Sequence, residues 1–243
     1  MASLTQLQSE IVACEKCPRL RTHSQSVARA RRASYRDFEY WGRPVPGFGS
    51  PSARIWIVGL APGAHGANRT GRMFTGDRSG DFLFAALHRA GLCNQPVSAT
   101  RDDGLQLRGC YISAAARCAP PGNHPTLQEL SNCRGFLEAE LRLLRRARVI
   151  LALGSIAWDA VLRAVEAAGR PIPRPRPMFS HGALLPIAPG LTLVGSYHVS
   201  QQNTFTGRLT EAMFDQILRQ CRTLSRSLSH RATGSQVRRK SAR

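Results

Sequence analysis

Four short, almost wholly apolar segments recur along the chain, and each is followed by a loop and then by a helical pattern. They are Arg54–Gly59, Cys110–Ser113, Val149–Leu153 and Leu191–Gly195. Strands that are apolar at every position, rather than at alternate positions, are typical of a parallel sheet with both faces buried. The pattern therefore predicts an α/β fold built around these strands.

The helical patterns between these segments have recognisable ends. Thr126 followed by Glu129 forms a capping box, which predicts a helix from there to about Arg146. Similar signals predict three further helices, at Asp81–Leu92, Ser155–Ala168 and Arg208 to about Arg222. Residues 223–243 are rich in Ser and Arg and contain no acidic residue. We therefore expect one domain over residues 1–222 and a disordered basic tail over residues 223–243.

A chain of 243 residues with 42% hydrophobic composition is long enough to form one sizeable core. It has no run of 18 apolar residues, and residues 1–12 lack the basic and apolar segments of a secretion signal. We therefore expect a cytoplasmic protein with no membrane association. In that compartment its seven cysteines are expected to be metal ligands or core residues rather than disulfides.

The charge balance narrows the choice of partner. The chain has 34 basic and 15 acidic residues, a formal charge of +19, and its only lysines are Lys16 and Lys240. A GC-rich genome would explain the use of Arg in place of Lys, but not the excess of basic over acidic residues. Arg binds phosphate oxygens through paired hydrogen bonds and stacks on bases. The composition thus predicts a nucleic-acid partner.

Four of the cysteines have a spacing that suits one metal site. Cys14 and Cys17 are three positions apart, Cys118 follows the second predicted strand, and Cys133 lies in the second turn of the following helix. Four thiolates bind either a zinc ion or a 4Fe–4S cluster, and spacing does not choose between them. Buried cysteines without a metal are the alternative, an interpretation that suits the other three better: Cys93, Cys110 and Cys221.

A long glycine-rich loop, Gly59–Asp77, follows the first predicted strand. Its glycines let the backbone approach a ligand closely, yet it lacks the spacing of a P-loop or a dinucleotide-binding turn. Phe74 has Arg72 and Gly76 two residues to either side, an arrangement that can stack on a base. A plain flexible surface loop is the alternative interpretation.

Five segments resemble, in order, motifs of the uracil-DNA glycosylase superfamily, and most closely those of its family 5. They are Cys14–Leu20, Trp41–Gly49, Gly59–Asp77, Arg117–Asn123 and Gly195–Thr204, and the whole resemblance extends from about Cys14 to Arg219. It implies a three-layer α/β/α sandwich around a central four-stranded, mainly parallel sheet. It also implies one 4Fe–4S cluster on Cys14, Cys17, Cys118 and Cys133, which we expect to be structural.

The resemblance further implies a DNA-repair enzyme that flips uracil out of double-stranded DNA and hydrolyses its N-glycosidic bond. We expect such an enzyme to be a monomer associated with the nucleoid. A non-enzymatic nucleic-acid-binding module, with a structural zinc on the same four cysteines, is the alternative. A nucleotide hydrolase is disfavoured because the chain lacks a P-loop lysine and an evident pair of carboxylates for magnesium.

Removing a base requires a flipped nucleotide, a stabilised leaving anion and a water molecule that attacks the sugar. Phe74 is the candidate for stacking on the flipped base, although it could instead be a core residue. His198, after the fourth strand, can donate a hydrogen bond to the departing base. Gly59, Ala61 and Gly63 are expected to lie against the base as well.

The residue that holds the water is less obvious, because Leu60 and Ala61 stand where related families place a polar side chain. By the resemblance, Asn123 takes over this role. Asp77 is a second candidate, but an Asp at that position could merely cap the following helix. An amide orients water without deprotonating it, so we expect catalysis to depend on stabilising the leaving group.

Ala114 bears on specificity. It stands where the sister family 4 has an Asn that reads the edge of uracil. A pocket that lacks this hydrogen-bonding side chain discriminates weakly between bases. The sequence therefore predicts release of hypoxanthine and etheno-cytosine as well as uracil.

Two sets of residues are predicted to contact DNA. The polar set Gln201, Gln202 and Asn203 could enter the gap left by the flipped base, or could merely cap the last helix. The basic set is Arg69, Arg72 and Arg208, which are candidate phosphate contacts.

Overall fold

The computed structural model describes residues 3–226, and six strands form one sheet within them: β1 Phe48–Gly49, β2 Ile55–Gly59, β3 Cys110–Ala114, β4 Val149–Leu153, β5 Leu184–Ala188 and β6 Leu191–Ser196. Their order across the sheet is β1-β3-β2-β4-β6-β5. The inner four are parallel to one another, whereas β1 and β5 run antiparallel at the two edges.

Helices cover both faces of this sheet. Those found in residues 3–226 are α1 Leu4–Val12, α2 Pro18–Ala30, α3 Ala67–Thr70, α4 Arg78–Arg89, α5 Leu127–Leu143, α6 Ser155–Ala167, α7 Gln201–Phe205 and α8 Glu211–Arg226. None of these described helices is long and apolar enough to cross a membrane.

The sheet separates two apolar cores because successive side chains of a strand point to opposite faces. Ile55 and Ile57 of β2 pack with α4 and α8 on one face. Trp56 and Val58 pack with α5 and α6 on the other. Every residue of β2, β3 and β4 is buried, as expected for strands covered on both sides. The predicted three-layer α/β/α fold is confirmed.

The four predicted strands are present, but the predicted sheet of four strands is wrong because two edge strands extend it to six. Strand β1 has only two residues, too few to produce a readable hydrophobic pattern. Strand β5 contains Pro186, a residue that interrupts a strand pattern but is tolerated at a sheet edge.

The predicted capping box is confirmed, while the helix ends differ by a few residues. Oγ1 of Thr126 accepts a hydrogen bond from the Glu129 amide at 3.2 Å, and Oε2 of Glu129 accepts one from the Thr126 amide at 2.7 Å. Helix α5 ends at Leu143 rather than near Arg146. Helix α8 reaches Arg226, so residues 223–226 of the predicted tail are helical. The rest of that predicted tail lies outside the described residues.

Candidate active site

A cleft of about 370 Å³ opens where the four parallel strands end, a volume typical of small-molecule sites. The segment that follows each strand lines the cleft. These segments are the glycine-rich loop after β2, a turn at residues 121–124 after β3, the start of α6 after β4, and the segment before α7 after β6. The lining residues are Leu60, Ala61, Gly63, Phe74, Asp77, Ser79, Gly122, Asn123, His124, Ile156, His198, Ser200 and Gln202. This is the edge where open parallel sheets bind ligands.

Phe74 forms one wall of the cleft and is held in a strained backbone conformation. Its φ of 54° lies in the left-handed region, which costs a bulky residue on the order of 1–3 kcal/mol. The ring lies against the end of β2, so closely that a Cβ added at Gly59 would be only 2.6 Å from the Cζ of Phe74. Gly59 therefore supports the ring from behind and does not line the cleft itself.

Asp77 both caps a helix and lines the cleft. Its Oδ1 accepts a hydrogen bond from the Gly80 amide at 2.9 Å at the start of α4. Its Oδ2 points toward the glycine-rich loop, where a Cβ at Gly63 would lie 2.9 Å away. Burial raises the pKa of the Asp77 carboxyl, and the Gly80 amide partly offsets that increase. Capping and a role in the cleft are thus compatible, since each involves a different oxygen.

His198 approaches Phe74 from the end of β6, with 6.2 Å between the two ring centroids. Burial lowers the pKa of His198 to about 4, so its imidazole is neutral near pH 7. The segment that carries it is braced by Asn203, whose Nδ2 donates a hydrogen bond to the His198 carbonyl oxygen at 2.8 Å. The site therefore presents a neutral ring that can donate one N–H bond.

Asn123 lies at the exposed rim of the cleft, at the end of the short 3₁₀ helix Pro121–Asn123. Its φ is 62°, and Gly122 before it has a φ of 61°. Asn is one of the few residues other than Gly that adopt this left-handed conformation readily. Asn123 therefore lines the same cleft as Asp77 and His198.

Ala114 ends strand β3, beside the end of β2. It is the last residue of β3, is completely buried, and pairs in register with Gly59 of β2. It packs in the apolar core on the α4 and α8 side of the sheet, and the residues that line the cleft do not include it. The contact between Ala114 and the base therefore stays a prediction.

Two of the three arginines predicted to contact phosphate are buried, and their guanidinium groups are bonded to the protein itself. Arg69 donates to the carbonyl oxygens of His65 and Gly76, and it stacks on two aromatic rings, Tyr35 and Phe38. Arg72 is paired with both carboxylate oxygens of Asp103, at 2.7 and 2.8 Å. Their exposed fractions are 6% and 7%. Both arginines hold the glycine-rich loop in shape.

The other predicted DNA contacts lie on the open side of the cleft. Gln201 and Gln202 are exposed on α7, and Gln202 also lines the cleft. Arg208 is exposed, with its guanidinium 4.7 Å from the centroid of the Tyr197 ring. Asn203 is half-buried, and its side-chain nitrogen is engaged by the His198 carbonyl. Sequence reasoning missed Phe205, whose side chain is 72% exposed at the end of α7.

Sequence reasoning also missed Ile156, which lines the cleft from the first turn of α6. Its position three residues after the end of β4 is the signal that could have identified it, because parallel strands place their following segments at one edge.

The four predicted metal ligands come from three parts of the chain: the turn between α1 and α2, the loop after β3, and α5. Burial raises the pKa of the Cys118 thiol to about 12 and that of Cys133 to about 11, with neighbouring thiols of the set adding to both increases. Two arginines oppose them, Arg21 beside Cys118 and Arg117 beside Cys133. Within residues 3–226, no three or more His, Cys, Asp or Glu side chains are grouped to hold a metal ion.

Comparison with known proteins identifies the family to which the chain belongs. A sequence model of the uracil DNA glycosylase superfamily matches residues 46–222. A Mycobacterium leprae protein named type-5 uracil-DNA glycosylase is 53% identical, over 92% of this chain and 96% of the relative. The Thermus thermophilus protein of the same name is 51% identical, over 88% and 95%.

A Pyrobaculum aerophilum protein named type-4 uracil-DNA glycosylase is more distant, at 30% identity over 65% of this chain and 64% of the relative. The family predicted from the sequence motifs is therefore confirmed. The chain belongs to the uracil-DNA glycosylase superfamily, and within it to the type-5 family.

Proposed function

We propose that the chain is a DNA glycosylase that hydrolyses the N-glycosidic bond of uracil in double-stranded DNA and leaves an abasic site for base excision repair. The observation that carries the proposal is the convergence of Phe74, Asp77, Asn123 and His198 on one cleft in a member of this family. A non-enzymatic binding module would have no need for a half-buried carboxylate and a neutral histidine in such a cleft.

The cleft can hold a base only after the nucleotide has rotated out of the duplex. Phe74 provides an aromatic wall for stacking, and its position is fixed by the close contact with Gly59. His198 is neutral and can donate an N–H hydrogen bond to a carbonyl oxygen of uracil, where negative charge grows as the bond breaks. A neutral donor suits this role because it strengthens its bond as the charge develops and needs no proton from solvent.

Asp77 and Asn123 are the residues proposed to act on the water. The Asn123 side chain, at the rim of the cleft, can orient a water molecule through its amide. The Asp77 carboxylate can accept a proton from that water and stabilise positive charge on the sugar. Its raised pKa makes it a better base than an ordinary Asp, provided that it is ionised. This division of labour supplies the polar groups that Leu60 and Ala61 lack.

We also propose that the substrate range extends to hypoxanthine and etheno-cytosine. The wall formed by Leu60, Ala61 and Gly63 offers no side-chain hydrogen bond to the edge of a base. A site without such a group has little means of rejecting another base of similar size. Because Ala114 lies behind the cleft, this proposal depends on the wall and not on Ala114.

A 4Fe–4S cluster on Cys14, Cys17, Cys118 and Cys133 is part of the proposal. The thiols influence one another's pKa, and the arginines beside them favour the thiolate forms that metals bind. In a cluster each thiolate bonds a different iron, so the sulfurs need not surround a single ion as they must in a zinc site. Such a cluster would tie the α1–α2 turn to the loop after β3 and to α5.

The DNA would lie across the open side of the cleft, beside α7. Gln201, Gln202 and Arg208 are exposed there, and Phe205 offers an apolar side chain that can enter a base stack. We propose that the protein acts as a monomer on the nucleoid, since one chain carries every residue of the cleft.

The proposal is tested by incubating the purified protein with a labelled duplex that contains one uracil, followed by alkaline cleavage. We expect a strand break at the uracil and release of free uracil. Binding of the duplex without a break at that position would contradict the proposal and favour the non-enzymatic module. A uracil-free duplex of the same sequence is the control.

A further inference from the structure

A second concave surface lies at the opposite end of the sheet from the cleft, where strands β4 and β6 begin. It has a volume of about 740 Å³ and is bounded by the end of α5, the segment after α6, and the turn between β5 and β6. Its floor is apolar and includes the buried residues Leu144, Ile187 and Leu191. We call this surface the basal groove.

Four arginines surround this apolar floor: Arg142, Arg145, Arg148 and Arg170. No acidic residue lines the basal groove among the residues that the structure describes. The guanidinium groups of Arg142, Arg145 and Arg170 make no hydrogen bond or ion pair with any residue in 3–226. Arg148 reaches only a backbone oxygen, that of Ala147, at 3.3 Å.

Arg72, which lines another concave surface, provides a contrast. It is buried and balanced by Asp103. Like charges gathered without a counter-charge repel one another and attract an anion. The basal groove is thus complementary to a ligand that carries several negative charges.

We infer that the basal groove binds an acidic peptide segment of a partner protein, with at least one large apolar side chain seated on its floor. Arginine pairs with carboxylates through two parallel hydrogen bonds. Burying an apolar side chain of the peptide on the floor contributes favourable binding free energy. The phosphates of a DNA duplex would satisfy the arginines, but the duplex keeps its bases stacked inside and has no large apolar side chain to seat on the floor. The mixed chemistry therefore favours a peptide over a second segment of DNA.

The position of the basal groove allows both sites to be occupied at once. Strand β4 has five residues, so the two ends of the sheet are separated by roughly 15 Å of strand at about 3.3 Å per residue. A partner bound in the groove would hold the protein near its own location without covering the cleft. The inference does not depend on the proposed activity, because it concerns other residues and a different ligand.

The test is fluorescence anisotropy with the full chain and a labelled peptide of six aspartates followed by leucine and phenylalanine, at about 0.15 M salt, where surface charges are screened beyond roughly 8 Å. We expect saturable binding, weakened at least tenfold by Arg142→Glu/Arg145→Glu. The matched control is Arg163→Glu/Arg219→Glu, which reverses two exposed helical arginines outside the groove and changes the net charge equally. Arg170→Glu, on the opposite wall, serves as a second variant that leaves α5 unchanged.

Four outcomes would overturn the inference, and the first three concern the peptide. They are no binding of the peptide, equal loss in the control variant, and unchanged affinity when glycine replaces the two apolar peptide residues. A fourth is loss of affinity for a uracil-free duplex in Arg142→Glu/Arg145→Glu alone, which would identify a second nucleic-acid site instead. Uracil release by each variant is measured in parallel, so failure of the groove and failure of the proposed activity are distinguishable.

Discussion

Replacing Glu140 by Gln should destabilise the protein far more than an equivalent change two residues away on the same helix. Oε2 of Glu140 accepts hydrogen bonds from Arg117 at 2.6 Å and from Ser113 at 2.9 Å. Ser113 in turn accepts one from the Trp56 indole at 2.8 Å. The side chains of Arg117 and Glu140 are 1% and 0% exposed. This network joins β2, β3 and α5 directly behind Cys118.

The magnitude follows from the charge that the substitution leaves behind. The glutamine side chain would keep the size of Glu140 and a hydrogen-bond acceptor, but Arg117 would become a buried cation without a counter-charge. Removing one partner of a buried pair costs about 3–5 kcal/mol, and we expect the lower end because the acceptor remains. For a chain of this length, about 3 kcal/mol corresponds to a decrease in Tm of roughly 6–12 °C.

The assay is urea unfolding and thermal melting of Glu140→Gln beside Glu138→Gln. Glu138 is the matched control, because it pairs with Arg134 on the exposed side of α5 at 3.1 Å. Its substitution should cost no more than about 1 kcal/mol. The double variant Arg117→Gln/Glu140→Gln should lose less than the sum of its two single variants. Equal losses for Glu140→Gln and Glu138→Gln would show that the buried pair of Arg117 and Glu140 does not stabilise the fold.

Three further predictions concern the cleft and the proposed cluster. Burial lowers the pKa of His198 to about 4, so its imidazole stays neutral from pH 8 to pH 5.5. The rate of uracil release should therefore show no loss in that range that is attributable to this residue. A decrease in rate with a midpoint near pH 6.5 that disappears in His198→Asn would contradict this. Gly59→Ala should lower kcat/KM for uracil release at least tenfold, because the new Cβ would meet Phe74, whereas Gly135→Ala, with nothing within 4 Å, should leave it unchanged. Cys118→Ser should reduce iron content, solubility and thermal stability before it alters chemistry, and a stable, iron-free, fully active variant would contradict a structural cluster.

The inner sheet could be predicted because its strands are apolar throughout. The start of α5 could be predicted because Thr126 and Glu129 form a local capping box. Strands β1 and β5 could not be predicted, since β1 is two residues long and β5 contains Pro186. Their pairing depends on contacts far apart in sequence. Local sequence patterns determine the strands that are buried on both faces of the sheet. An edge strand depends instead on the folded strand with which it pairs.

The cleft was predictable in part for a similar reason. Phe74, Asp77, Asn123 and His198 all follow predicted strands, so the topology rule brings them together. Arg69 and Arg72 could not be placed from sequence, because their burial depends on residues elsewhere in the chain, such as Tyr35 and Asp103.

Asp77 was ambiguous at the level of sequence, and the structure shows that its two oxygens face different environments. One oxygen accepts from the Gly80 amide and the other faces the glycine-rich loop. No sequence pattern separates the two oxygens of a carboxylate. A substitution that keeps one function and removes the other is therefore needed to separate them.

The most direct test of the account is the single-turnover rate of uracil release by Asp77→Asn compared with the unaltered protein. Asn caps a helix about as well as Asp, so this variant should keep its fold and thermal stability while losing the carboxylate. We expect a rate at least a hundredfold lower on a uracil-containing duplex, with unchanged duplex affinity. A folded Asp77→Asn variant that releases uracil at the rate of the unaltered protein would contradict it and leave Asp77 as a helix cap alone.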